Sequence, residues 1–207
     1  MYKLLIPVSC LLIVSCSNNK ERESPGHKNI IRDSSETIKS TRPVNSYAPV
    51  DVSPMDMSYY PVDYPKLKSG TSTTPSARVI YSRPHLQGRD LFHDILKYGE
   101  PWRLGANEAT ELELFKPATI QGKQVKPGKY IIYAIPEKDK WTIVLNSNTD
   151  SWGLHLDMTK DVARFSIPVK VTPDSIEFFS MIFRDGSNGP ELLMAWDNIE
   201  AVLPITF

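Results

Sequence analysis

The chain has 207 residues, 24 basic and 24 acidic side chains, and a hydrophobic content of 41%. With no basic surplus to neutralise phosphates, nucleic acid is excluded as a partner. Its only two cysteines, Cys10 and Cys16, lie near the N-terminus, which excludes disulfide, thiol and cysteine–zinc chemistry further along the chain.

Met1, Tyr2 and Lys3 lead into an apolar run from Leu4 to Val14, and Ile13-Val14-Ser15-Cys16 resembles a bacterial lipobox. Crossing a bilayer takes about 20 apolar residues, and this run is shorter and contains Pro7. A cleaved signal over 1–15 is therefore expected rather than a membrane span. The resemblance implies cleavage before Cys16 and acylation of its thiol and of the new amino terminus. Two or three acyl chains, at roughly 0.8 kcal/mol per buried methylene, hold a protein durably on a membrane. The expected location is the bacterial cell envelope, at the outer membrane, with membrane lipid as a partner and the periplasmic or surface face left open.

From Ser17 to Val50 the sequence is polar, with isolated apolar residues such as Ile30, Ile31 and Ile38. Such a stretch cannot bury enough surface to offset its ordering, so 16–50 is expected to be a flexible lipidated tether. In the coil regime it would reach roughly 30–35 Å.

Asp51 to Leu67 differs, because Met55, Met57, Tyr59, Tyr60, Val62 and Tyr64 favour burial while Pro54, Pro61 and Pro65 forbid a central strand. An extended segment along the surface or edge of the domain is expected, with a protein-recognition motif as the alternative. Lys68 to Ser76 is a Gly/Ser/Thr/Pro loop.

Beyond it the periodicity is that of strands, over 77–82, 110–115, 129–135, 141–146, 162–171, 175–184, 191–196 and 199–207. In Val162 to Val171, Ala163, Phe165, Ile167, Val169 and Val171 share one face. Turn chemistry separates the runs at Gln121-Gly122, Lys126-Pro127-Gly128, Glu137 to Lys140 and Asp185 to Pro190. The single helical candidate is Arg89 to Lys97, where Leu91, Phe92, Ile95 and Leu96 cluster on one side. Together these predict an all-β antiparallel sandwich or barrel-like domain over 51–207, with one short helix plugging an end.

Tyr81-Ser82-Arg83-Pro84, Gln87-Gly88-Arg89, Tyr98-Gly99 and Trp102-Arg103-Leu104-Gly105-Ala106-Asn107-Glu108-Ala109-Thr110 carry a family resemblance. The chain resembles the bacterial family called domain of unknown function 2911, whose members read YSRP, KGR, YG and WRxGANEAT. The resemblance covers roughly 53–207 and implies no established activity. His93 stands where the family usually has Gly, and Leu96-Lys97 where it has Val-Pro, so this segment is expected to be more helical than in relatives.

The candidate ligand-binding residues are Arg83, Arg89, Trp102, Arg103, Asn107 and Glu108. Guanidinium groups clamp carboxylates or phosphates, and an indole face stacks on sugars, so the set suits a small anionic or sugar-like ligand. The competing reading is a partly buried Arg103–Glu108 pair that staples an irregular connection to the sheet. Trp141 and Trp196 lie in strand patterns and are expected in the core, whereas Trp102 and Trp152 are the expected exposed pair. No metal site or cofactor is expected, since His85, His93 and His155 lack ligand spacing and His27 lies in the tether. No nucleophile motif points to a hydrolase. The functional expectation is an envelope-anchored domain that binds a ligand or an envelope protein; an enzyme using the Arg/Asn/Glu cluster and a structural accessory subunit are the alternatives.

Overall fold

In the computed structural model the residues described are 51–66, 74–149 and 151–207. The expected signal, Cys16 with its expected acylation and the expected tether lie outside the described residues, as does most of the 68–76 loop. Everything described belongs to one unit spanning Ser46–Phe207.

Among the described residues nine strands form, all paired antiparallel: β1 (Met55–Tyr60), β2 (Ala77–Ser82), β3 (Glu111–Leu114), β4 (Ala118–Ile120), β5 (Lys123–Val125), β6 (Gly128–Pro136), β7 (Lys140–Asn146), β8 (Asp161–Gly186) and β9 (Gly189–Pro204). Seven of them make one sheet in the order β1-β2-β3-β6-β7-β8-β9. The proline-bounded 51–67 segment contributes the edge strand β1, as its composition requires: Pro54 and Pro61 fall just outside the ladder, where a missing N–H costs nothing.

Two predicted strand pairs are in fact single long strands. The runs at 162–171 and 175–184 join into β8, of 26 residues, and those at 191–196 and 199–207 join into β9, of 16 residues. The register between them shifts at Val171–Ile176 and again at Ile176–Ser180, opposite Asp197 at φ 52. Thr172-Pro173-Asp174 therefore bends the strand instead of ending it, as a bulge does. Ala163, Phe165 and Ile167 face the core as expected, but Val171 is 65% exposed, because the strand leaves the core at this bend.

The bend brings the second half of β8 round to face β1 and the end of β2. Phe179 N–H donates to the Pro84 carbonyl at 2.9 Å, Leu86 N–H to the Glu177 carbonyl at 3.0 Å, and Phe183 N–H to Ser58 Oγ at 2.9 Å. The sheet thereby closes almost completely into a barrel, leaving few free edges.

Inside, Val79, Leu112, Ile132, Ile143, Leu145 and Phe165 meet Met181, Phe183, Leu192, Met194 and Leu203, all buried. Each such side chain contributes roughly 1.5–3 kcal/mol of transfer free energy. The small β4–β5 hairpin, not predicted as strands, turns at Gln121 (φ 47) and Gly122 (φ 76), the geometry of a tight two-residue hairpin loop. It buries Ile120 and Val125, and Thr119 pairs with Thr206.

The predicted helix is much shorter than 89–97. Only one wide turn forms, Leu91–Ile95, with Leu96 N–H on the Leu91 carbonyl at 2.8 Å. Asp90 Oδ1 accepts from the Phe92 and His93 N–H groups at 3.0 and 2.8 Å, capping the turn. Leu91 and Leu96 are buried, so the hydrophobic clustering reported the core contact correctly, while five residues are too few to sustain a regular helix.

Candidate functional site

The 103–109 loop is a strained excursion at one end of the barrel. Trp102 bridges Ala134 of β6, with N–H to carbonyl bonds of 2.7 and 2.8 Å in the two directions, and Ile132 N–H returns to the Thr110 carbonyl at 2.9 Å. Between these ties the chain bulges out. Leu104 and Asn107 sit in the left-handed region, at φ 53 and 56. For a bulky residue such as leucine this conformation costs on the order of 1–3 kcal/mol and persists only where the surroundings hold it. Leu104 is fully buried, and its carbonyl accepts from Thr110 Oγ1 at 2.7 Å.

Two glycines let neighbouring segments close on this loop. A β-carbon on Gly105 would lie 3.0 Å from the Ser82 carbonyl oxygen and 3.1 Å from Thr110 Oγ1, so the loop rests directly on the end of β2. A β-carbon on Gly153 (φ 86) would lie 3.0 Å from the Ala109 Cα and 3.2 Å from the Arg103 Cβ. The Trp152-Gly153-Leu154 stretch is thus pressed against the loop from the other side.

These contacts frame a cleft of about 360 Å³, a volume within the range of small-molecule sites. Arg89, Ile95 and Leu96 form one side, Trp102, Arg103 and Ala106 another, while Gly153, Leu154, Ser53 and Trp196 complete it.

The six candidate residues divide into two groups. Arg89, Trp102 and Arg103 line the cleft; Arg83, Asn107 and Glu108 do not. Arg83 lies at the β1–β8 seam, 3.3 Å from Asp56 and over the Phe178 ring at 5.8 Å. Asn107 donates through Nδ2 to Asp51 Oδ2 at 2.7 Å and so fastens the strand-leading segment to the loop. Glu108 is exposed.

Within the cleft the two guanidinium groups differ in kind. Arg89 donates through Nε to the Leu86 carbonyl and through Nη2 to the His85 carbonyl, both at 2.8 Å, so it holds the turn at 85–89. Arg103 is half-buried, and its Nη1 is buried with no hydrogen-bond partner among the described residues. The expected Arg103–Glu108 ion pair does not form among the described residues. Burial holds the Arg103 pKa below its ordinary value, with the Glu108 charge acting in the opposite direction from a distance. A buried donor without an acceptor costs about 1–3 kcal/mol.

Trp102 corrects another expectation. It is 8% exposed, stacked on Trp196 at 5.7 Å and edge-on to Trp141 at 5.7 Å and Phe179 at 4.9 Å. Its faces are spent on the core, which removes it as a platform for a sugar ring. Trp152 is exposed as expected. Trp196, predicted in the core, is 1% exposed yet contributes to the cleft wall, and its Nε1–H donates to the Glu177 carbonyl at 3.1 Å. Ser53, Ile95 and Leu154 had no sequence signal for the cleft, because only the closure of the barrel and the seating of Gly153 bring them there.

No group of three or more metal-ligating side chains is found among the described residues. His85 stacks on Phe178 at 5.1 Å with Nδ1 3.6 Å from Glu177, and His93 bonds its neighbour Asp94 at 2.7 Å. No helix among the described residues is long and apolar enough to cross a membrane.

Fold and cleft together define a small, nearly closed antiparallel β-barrel domain with a strained Gly/Asn loop at one end. The chain belongs to the family described as protein of unknown function (DUF2911), whose sequence profile matches residues 66–205. Comparison with curated proteins and with solved structures finds no match.

Proposed function

We propose that the protein is a lipid-anchored binding protein of the bacterial cell envelope, held at the outer membrane through acylated Cys16, and that its cleft receives a small ligand. The anchoring half rests on the lipobox at Ile13 to Cys16 and on the polar stretch that follows it. The binding half is carried by one observation: Arg103 lines a cleft with a buried nitrogen that has no partner among the described residues. Arg78 Nε, Arg83 Nε, Glu137 Oε2 and Trp141 Nε1 are likewise buried without a hydrogen-bond partner among the described residues. Of these five atoms, Arg103 Nη1 belongs to the residue that lines this cleft, where a ligand acceptor can answer it.

Catalysis has less support. Among its described lining residues the cleft offers the Ser53 hydroxyl but no carboxylate, imidazole or thiol to move a proton or attack a bond. An envelope-protein partner finds its support elsewhere, in the exposed Met55, Met57, Phe178 and Ile182 around the seam.

The anchor is tested by mass analysis of the mature amino terminus and by fractionating cells that carry Cys16→Ser. An acylated Cys16, and a shift of the variant out of the membrane fraction, are the expected results. The cleft is tested by titrating the full chain with small organic anions and sugars while following tryptophan emission, since Trp102 and Trp196 border the cleft.

A further inference from the structure

Resting on the binding reading above, we infer that the ligand of the cleft is a monocarboxylate with an apolar body, such as a short acyl or aryl acid, whose carboxylate pairs with Arg103 while its body lies against Ile95, Leu96 and Leu154.

Charge is the first argument. The described lining holds two guanidinium groups and no acidic side chain, so the cleft favours an anion. Arg89 is already committed, through Nε and Nη2, to two backbone carbonyls. Arg103 makes no hydrogen bond within the described structure. One uncommitted guanidinium matches one carboxylate, which it meets through two parallel N–H···O bonds. A phosphate monoester carries close to two charges near neutrality and needs more donors than this cleft supplies.

The rest of the wall is the second argument. Ile95, Leu96, Pro84, Pro101 and Leu154 present aliphatic surface, and Ser53 supplies the one side-chain hydroxyl among the described lining residues. A sugar acid would place several hydroxyls against these groups, where each lost hydrogen bond counts against binding. Leu154 is 63% exposed at the rim, an apolar side chain kept in water beside a guanidinium, which suits a ligand that is charged at one end and apolar at the other.

Isothermal titration of the full chain with octanoate, phenylacetate, octanamide, glucuronate and inorganic phosphate tests this class. Octanoate or phenylacetate is expected to bind at least about tenfold more tightly than octanamide, glucuronate or phosphate. Arg103→Gln is expected to abolish that preference, and Arg103→Lys to weaken carboxylate binding about three- to tenfold, because an ammonium lacks the fork. Leu154→Asp, a change at a position 63% exposed, is expected to weaken octanoate more than octanamide, because both lose the apolar contact and only the carboxylate meets the added negative charge. If glucuronate or phosphate binds best and responds to Arg103→Gln, the ligand class is wrong while the cleft remains a binding site. If no compound binds, or binding is indifferent to both Arg103→Lys and Leu154→Asp, the cleft reading falls with it.

Discussion

The Asn107 side-chain amide donates to the Asp51 carboxylate at 2.7 Å and also reaches the Ser53 carbonyl at 3.4 Å, so the segment leading into β1 is tied to the loop that carries Arg103. Ser53 in turn borders the cleft. Asn107 thus joins two elements more than 50 positions apart in sequence, and its own backbone is left-handed. Replacing it with alanine removes the tie and adds conformational strain, whereas glycine removes only the tie. We expect Asn107→Ala to lower unfolding free energy by about 1–2 kcal/mol and Asn107→Gly by about half that or less, measured by urea denaturation. Equal losses in the two variants would show that the backbone conformation carries no strain.

Gly153 should not tolerate a side chain. Its φ of 86 and the 3.0 Å approach to the Ala109 backbone leave a β-carbon nowhere to go. Gly153→Ala is expected to cost about 1–3 kcal/mol, or to lift the Trp152–Leu154 stretch off the loop. Faster amide exchange at Ala109 and Gly153 would report the second outcome.

Trp102 lies at the centre of an aromatic cluster with Trp141, Phe179 and Trp196. Trp102→Ala should destabilise the domain by about 3–5 kcal/mol, as large core truncations do, and should remove much of the near-ultraviolet circular dichroism. A loss below 1 kcal/mol would place the ring outside the core.

Much of this architecture is legible in the residues themselves. The strand at Ala77–Ser82 matches its predicted span, and β6 and β7 fall within one residue of theirs, because each is a short run rich in β-branched and aromatic residues flanked by turn chemistry. The length of β8 is not legible. Thr172-Pro173-Asp174 has the chemistry of a turn, and only pairing with β9 on both sides of the bend keeps the strand running. Arg103 and Arg89 look alike as sequence. What separates them is the position of the His85 and Leu86 carbonyls, a tertiary fact. Likewise Trp102 follows a proline, outside any alternating run, and its burial comes from isolated pairing with Ala134.

On the other side of β6, the Tyr133 hydroxyl lies 3.1 Å from both Asp161 oxygens, and burial together with that carboxylate pushes its pKa up to about 12. The raised value means that the folded state keeps its proton where the unfolded chain, at the ordinary 10.0, has lost it. This contribution is fully present below pH 10 and is lost as pH rises towards 12, at about 1.4 kcal/mol per pH unit for one group. Spectrophotometric titration of tyrosinate should show a phenol ionising near pH 12 that disappears in Tyr133→Phe and moves down in Asp161→Asn.

His93 should also titrate above its ordinary value, because Asp94 accepts from its ring and favours the cation. Their mutual attraction is greatest where Asp94 is ionised and His93 protonated, between the ordinary values of about 3.8 and 6.5. It fades as pH rises through the elevated histidine pKa or falls through the depressed aspartate one. Histidine proton resonances followed against pH should place His93 above 6.5, with Asp94→Asn returning it towards 6.5.

Whether Arg103 serves a ligand or the fold is measured most directly by the unfolding free energy of Arg103→Met. Methionine keeps the aliphatic stem that packs beside Gly153 and removes only the charged fork. A binding residue with an unanswered buried donor predicts stability unchanged or raised by up to about 1–2 kcal/mol, together with loss of carboxylate binding. A fall of about 3 kcal/mol or more, the loss expected when one partner of a buried ion pair is removed, would contradict it and make Arg103 a staple of the 103–109 loop.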